Sequence, residues 1–86
     1  MTFEDVTDLS NLAPGEVGTV AGLIGGWGLV GRLAALGLTP GGEVTVVQNY
    51  GRGPIIVRIR NTRIALGRGE AFRVQVRKSA ERGGSA

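Results

Sequence analysis

Residues 26–31 read Gly-Trp-Gly-Leu-Val-Gly, a G-x-G-x-x-G spacing that would let backbone approach a pyrophosphate at a helix N-terminus. The chemistry would be dinucleotide binding. Its surroundings argue against it: a Rossmann unit needs a parallel strand after the crossover helix and an acidic residue about 20 positions on for the ribose. Here Glu43 arrives too early and the chain continues in hairpin patterns. With 16 glycines in 86 residues such a spacing arises easily, and a flexible loop entering a helix is the preferred reading.

The other chemistry-bearing residues are defined as much by what is missing. There is no histidine and no cysteine, which removes imidazole bases, thiolate chemistry, disulfides and most transition-metal ligand sets. Glu4, Asp5 and Asp8 sit in a polar lead-in, and no carboxylate pair is spaced for acid and base work or for an oxygen-ligand cluster. No catalytic residue, no metal ligand and no cofactor is expected. Charge is divided along the chain. Residues 1–51 hold one basic residue against five acidic ones, a balance of −4, whereas residues 52–86 hold nine against two, a balance of +7. Arg58, Arg60, Arg63, Arg73 and Arg77 could meet a phosphate backbone or an acidic protein surface. A single-strand-binding barrel would interleave aromatics with them for base stacking, and none is present. A solvated outer face that guards sheet edges is therefore preferred, with a nucleic-acid-binding small β-barrel kept as the alternative.

Trp27 and Tyr50 are the large amphipathic aromatics. Tryptophan serves equally as a core plug and as an interface anchor. The glycines on either side of Trp27 offer no shielding, so that Trp27 with Leu29 and Val30 would form an exposed apolar patch of the kind that marks a partner site. Arg32 follows on the same helix, and Tyr50 and Arg52 sit in a turn cluster, Asn49 to Gly53. These six residues are the candidate partner-binding set.

The elements that must position them are legible from period and punctuation. Leu29, Leu33 and Leu36 recur at helical spacing with alanines between, predicting a helix over 27–36. Gly37 is placed to close it in a left-handed cap with Leu38 folded back on Leu33, and Pro40-Gly41-Gly42 make a turn. Before the helix, Val17, Val20, Leu23 and Ile24 suggest a strand bent at Gly18 and Gly22. After it the period is two: Glu43 to Asn49; Ile55 to Arg60 with Ile55, Val57 and Ile59 inward; a reversal at Asn61-Thr62; Ile64 and Leu66 inward; a turn at Gly67 to Glu70; and Phe72 to Arg77 with Phe72, Val74 and Val76 inward. Leu9 and Leu12 frame a small turn whose expected role is to plug one end of the core. The result is a mainly β fold, a small SH3-like β-barrel of about five strands with one short helix between the first and second. One domain is expected over residues 1–78, followed by a mobile C-terminal tail at 79–86. No signal peptide and no apolar run of membrane-spanning length is visible, so a soluble cytoplasmic protein is expected.

Taken together, LSNLAPGEVGTV, RLAALGLTPGGEVTVV, GPIIVRIRNTRIAL and AFRVQV, spanning about Leu9 to Val76, resemble the FeoA family of small SH3-like proteins. The R-L-x-x-L-G-L-x-P-G piece is the most specific part. The resemblance implies a non-enzymatic accessory or regulatory role in ferrous-iron uptake. Its partner would be the cytosolic GTPase domain or the membrane portion of a FeoB-type transporter. It also implies recruitment to the inner face of the membrane through that partner, with iron entering only as the partner's cargo.

Overall fold

The computed structural model describes residues 6–78. Six antiparallel strands form one sheet: β1 (Val6–Asp8), β2 (Val17–Leu23), β3 (Glu43–Gln48), β4 (Ile55–Ile59), β5 (Thr62–Leu66) and β6 (Val74–Lys78). Their order across the sheet is β1-β6-β2-β3-β4-β5. Helix α1 (Trp27–Ala35) lies between β2 and β3 in the chain, and a single helical turn, α2 (Arg68–Ala71), lies between β5 and β6. A 3-10 turn, Leu9–Asn11, follows β1.

The core is the sum of the inward faces expected from alternation. Val44 and Val46 of β3, Ile55, Val57 and Ile59 of β4, Leu66 of β5, and Val74 and Val76 of β6 are buried together with Leu9, Leu12, Val20, Leu33 and Leu38. Strand β2 is the long one, pairing with both β3 and β6, and it bends where its register with β6 shifts between Val20 and Gly22. Such a bulge bends and twists the strand and so curls the sheet. Leu9 and Leu12 are fully buried as members of the same core.

The stop of α1 follows the predicted geometry. Gly37 holds φ +104, its N–H donates to the Ala34 carbonyl at 2.9 Å, and the Leu38 N–H donates to the Leu33 carbonyl at 3.1 Å. These two bonds define a Schellman cap, with Leu33 and Leu38 both drawn into the core. The turn that follows is fastened to β2, because the Gly41 N–H donates to the Val20 carbonyl and the Val20 N–H to the Gly42 carbonyl, each at 2.8 Å. A Cβ on Gly37 would lie 3.0 Å from Ile59 Cγ2. Gly37→Ala therefore combines left-handed strain with a tight contact, and chemical denaturation should record a loss of about 1–2 kcal/mol.

Four expectations are corrected. There are six strands, because Val6 to Asp8, read as a lead-in, finds a partner in β6 through the register Val6 to Arg77 and Asp8 to Gln75. Three residues carry too little pattern to announce themselves as a strand. The reversal between β4 and β5 is at Arg60-Asn61, one residue earlier than expected, with Arg60 at φ +58, so Arg60 belongs to the turn and not to the strand. Gly67 to Glu70 opens a helical turn, in which Glu70 Oε1 accepts the Gly67 N–H at 3.0 Å. Because that turn continues to Phe72, whose φ and ψ are −63 and −23, the alternation starts only at Val74 and Phe72 is turned outward, 65% exposed. The tail at 79–86, and Glu4 and Asp5 of the lead-in, lie outside the described residues.

Candidate partner-docking surface

Helix α1 divides its apolar residues between two faces. Leu33 is fully buried and Leu29, one turn earlier, packs against the core. Trp27 and Val30, three apart, lie on the other side. Trp27 is 93% exposed and Val30 half-buried. Of the expected set, Leu29 thus spends much of its surface inward and supports the patch from beneath. Gly26 caps the helix with no side-chain bond, and Gly25 at φ +147 passes so close to Leu29 that a Cβ there would lie 2.8 Å from Leu29 Cδ2. Bare glycine backbone leaves the indole without a flanking side chain, which is the physical reason that Trp27 stands out from the surface.

The patch extends further than the sequence suggested. The Ile24 N–H donates to the Arg73 carbonyl at 2.9 Å, which brings the end of β2 beside the start of β6. Ile24 and Phe72 are both more than half exposed, and with Asp8, Arg73 and Gln75 they line a shallow cavity of about 430 Å³. Arg73 also reaches toward Gly25, its Nη1 lying 3.6 Å from where a Cβ on that glycine would sit. Ile24 and Phe72 thereby form an exposed apolar pair beside Arg73, while Trp27 lines a separate shallow cavity with Gly25, Gly26 and Val30, and Gly25 is the residue that joins the two regions. An apolar surface of this kind on a small domain is characteristic of an interaction site.

Helical turn α2 connects this region to the other candidates. Glu70 forms an ion pair with Arg32 of α1. Arg68, at the other end of the turn, donates through Nε to the Gly53 carbonyl at 3.0 Å and through Nη2 to Asn49 Oδ1. Asn49 in turn donates to the Ser10 and Leu12 carbonyls at 3.0 and 2.8 Å and accepts the Gly51 N–H at 3.1 Å. The loop that carries Tyr50 and Arg52 is thus held at its base by Asn49 and Arg68 while both named side chains remain exposed. Ile24, Asn49, Arg68, Glu70 and Phe72 are participants that the sequence reading passed over. A Glu three residues after Gly67 was the available signal, since an acid at the third helical position reaches back to the cap N–H.

The arginines proposed for nucleic acid fall into two groups. Arg58 and Arg63 lie on neighbouring β4 and β5, Arg60 in the turn joining them, and Arg73 and Arg77 at β6, with β2 and β3 intervening in the strand order. Among the described residues no group of three His, Cys, Asp or Glu side chains is placed to hold a metal ion, and no helix is long and apolar enough to cross a membrane.

Comparison with known proteins decides the family. Residues 7–78 match the model of the FeoA domain. The chain belongs to the FeoA family. It is 36% identical over 70 residues to a protein of Methanocaldococcus jannaschii named for Fe(2+) transport, an overlap of 81% of this chain and 83% of that one. A crystal structure of FeoA, described as an iron uptake regulatory protein, superposes with a TM-score of 0.81 at 41% identity, covering 85% of this chain and 97% of the other. FeoA of Stenotrophomonas maltophilia, described as a prokaryotic SH3 domain protein and crystallised with zinc, superposes with a TM-score of 0.73 at 32% identity, covering 81% and 88%. The expected SH3-like architecture of a FeoA protein therefore holds, with one more strand than counted from the sequence.

Proposed function

We propose that this FeoA-family protein is a non-enzymatic accessory of ferrous-iron uptake that works in the cytoplasm by docking on the cytosolic part of a FeoB-type transporter. The observation that carries the reading is Trp27, fully presented to solvent at a helix start and accompanied by Ile24 and Phe72. Tryptophan is among the residues that dominate binding energy when an interface closes over them. Leu29 and Val30 complete the apolar part, while Arg32, Tyr50 and Arg52 supply the polar rim that α2 links to it. Docking there recruits the protein to the inner face of the membrane without inserting it.

The regulatory input to transport is then mechanical or allosteric, exerted by occupancy of a surface on the partner, and the iron is the partner's cargo. A direct test is titration of the purified cytosolic GTPase domain of a FeoB-type transporter, and separately of the full transporter in detergent, with this protein by calorimetry. Saturable association with either supports the reading and identifies the portion contacted. Absence of association with both overturns it.

A further inference from the structure

A second surface lies at the far end of the sheet. Strand β5 pairs with β4 and, among the described residues, with no other strand. The two-residue turn at Arg60-Asn61 makes Ile59 and Thr62 a hydrogen-bonded pair, so the pairs Arg58–Arg63 and Ile56–Ala65 are of the non-hydrogen-bonded kind. The backbone N–H and C=O groups of Arg63 and Ala65 consequently point away from β4, toward the open edge.

The two faces beside this edge differ sharply. On the outer face Arg58 and Arg63 stand directly opposite each other, and in a non-hydrogen-bonded pair the side chains are at their closest. Like charges so placed repel. Among the described residues, no hydrogen bond or ion pair engages the side chains of Arg58, Arg63 or Arg60 in the turn, and Glu43, the carboxylate sharing a cavity with Arg58 and Arg60, forms no ion pair with them. Arg60 also holds a left-handed backbone that favours glycine or asparagine. On the inner face, Ala35, Leu36, Gly37, Ile59, Thr62 and Ile64 line an open cleft of about 330 Å³ between the end of α1 and the β5 edge, with Arg60 of the turn at its rim.

We infer that β5 accepts an extended acidic peptide segment as an added strand, with alternate side chains pointing to the two faces. Carboxylates opposite Arg63 meet the arginine pair and relieve its repulsion, and apolar side chains opposite Ile64 enter the cleft beside Leu36 and Ile59. Backbone pairing to Arg63 and Ala65 supplies the affinity, and the two faces supply the selectivity. A second copy of this chain is disfavoured as the occupant, because edge-to-edge pairing of two β5 strands would concentrate arginines without a counter-charge. The inference is independent of the transporter reading: β5 is approached from the C-terminal end of α1, whereas Trp27 sits at its N-terminal end, about 13 Å away for a nine-residue helix.

The test uses a fluorescein-labelled synthetic peptide of alternating glutamate and valine, followed by anisotropy. Two controls accompany it: a block peptide of the same composition and an alternating lysine and valine peptide. The alternating acidic peptide should bind saturably and the controls at least tenfold more weakly. Ala65→Pro removes only an outward-pointing N–H, so the folded variant should lose binding. Arg63→Glu, at an exposed outer-face position, should leave the protein folded, weaken the acidic peptide at least tenfold and improve the lysine peptide. Equal binding of the block peptide, unchanged binding by folded Ala65→Pro, or unchanged binding by Arg63→Glu would overturn the inference. So would formation of a β5-dependent dimer, or binding of oligouridine in place of the acidic peptide.

Discussion

Leu33→Ala lowers the free energy of unfolding by about 3 kcal/mol, measured by urea denaturation followed by circular dichroism. Leu33 is the fully buried residue of α1 and therefore the helix's main attachment to the core. Truncation removes its methyl groups from a packed environment and leaves a cavity among β-strand residues that the sheet ladders hold in place. It also strips an apolar side chain from the Schellman cap, whose flanking residue Leu38 is buried in the same core, although the backbone bond from the Leu38 N–H to the carbonyl at position 33 is kept. A domain of this size has a total stability at the low end of about 5–15 kcal/mol, so the loss is a large fraction of what holds the fold. Leu36→Ala, at a position more than a third exposed, is the contrasting variant and should lose less than half as much. Equal losses at the two positions would mean that α1 is not anchored through Leu33.

Trp27→Ala leaves the unfolding midpoint nearly unchanged and weakens association with the transporter's cytosolic part by about 30-fold or more, the scale of about 2 kcal/mol associated with a central interface tryptophan. The two halves of this expectation have separate causes. A side chain 93% exposed contributes almost nothing to the core, so its removal costs the fold little. The same exposure means that the whole indole surface is available to be covered by a partner. Phe72→Ser probes the other side of the Gly25–Arg73 junction and should weaken association in the same direction, whereas Arg63→Glu, at the β5 edge, should not. Wild-type affinity in a folded Trp27→Ala protein would remove the α1 start from the docking surface. The contrast with Arg63→Glu also keeps the two surfaces experimentally distinct, since one substitution acts on the transporter domain and the other on the acidic peptide.

Much of the architecture could be read from local pattern because local physics governs it. The Gly37 stop, the alternation of β3 and β4, and the bend in β2 each depend on residues within a few positions of one another. The departures share a different cause. Val6 to Asp8 becomes a strand only because β6 offers an edge, and nothing within three residues signals a partner 70 positions away. Phe72 follows an alternation that would be valid if the strand began there, but the helical turn at Gly67 to Ala71 rotates it outward first. Of the candidate site, the exposure of Trp27 follows from the flanking glycines, while the membership of Ile24, Glu70 and Phe72 required folding to bring β2, α2 and β6 together.

The sequence by itself determined which chemistries are absent, where α1 ends, which faces of β3 and β4 are buried, and that Trp27 has no local shield. Each of these follows from residue type or from spacing along one element. Only the tertiary structure decided that Arg58 opposes Arg63 across a ladder, that Asn49 and Arg68 pin the Tyr50 loop, and that Ile24 and Phe72 come together at one exposed cavity. Those facts depend on strand register and on the packing of distant segments, which are settled by burial of the whole core and not by the preference of any one stretch of chain.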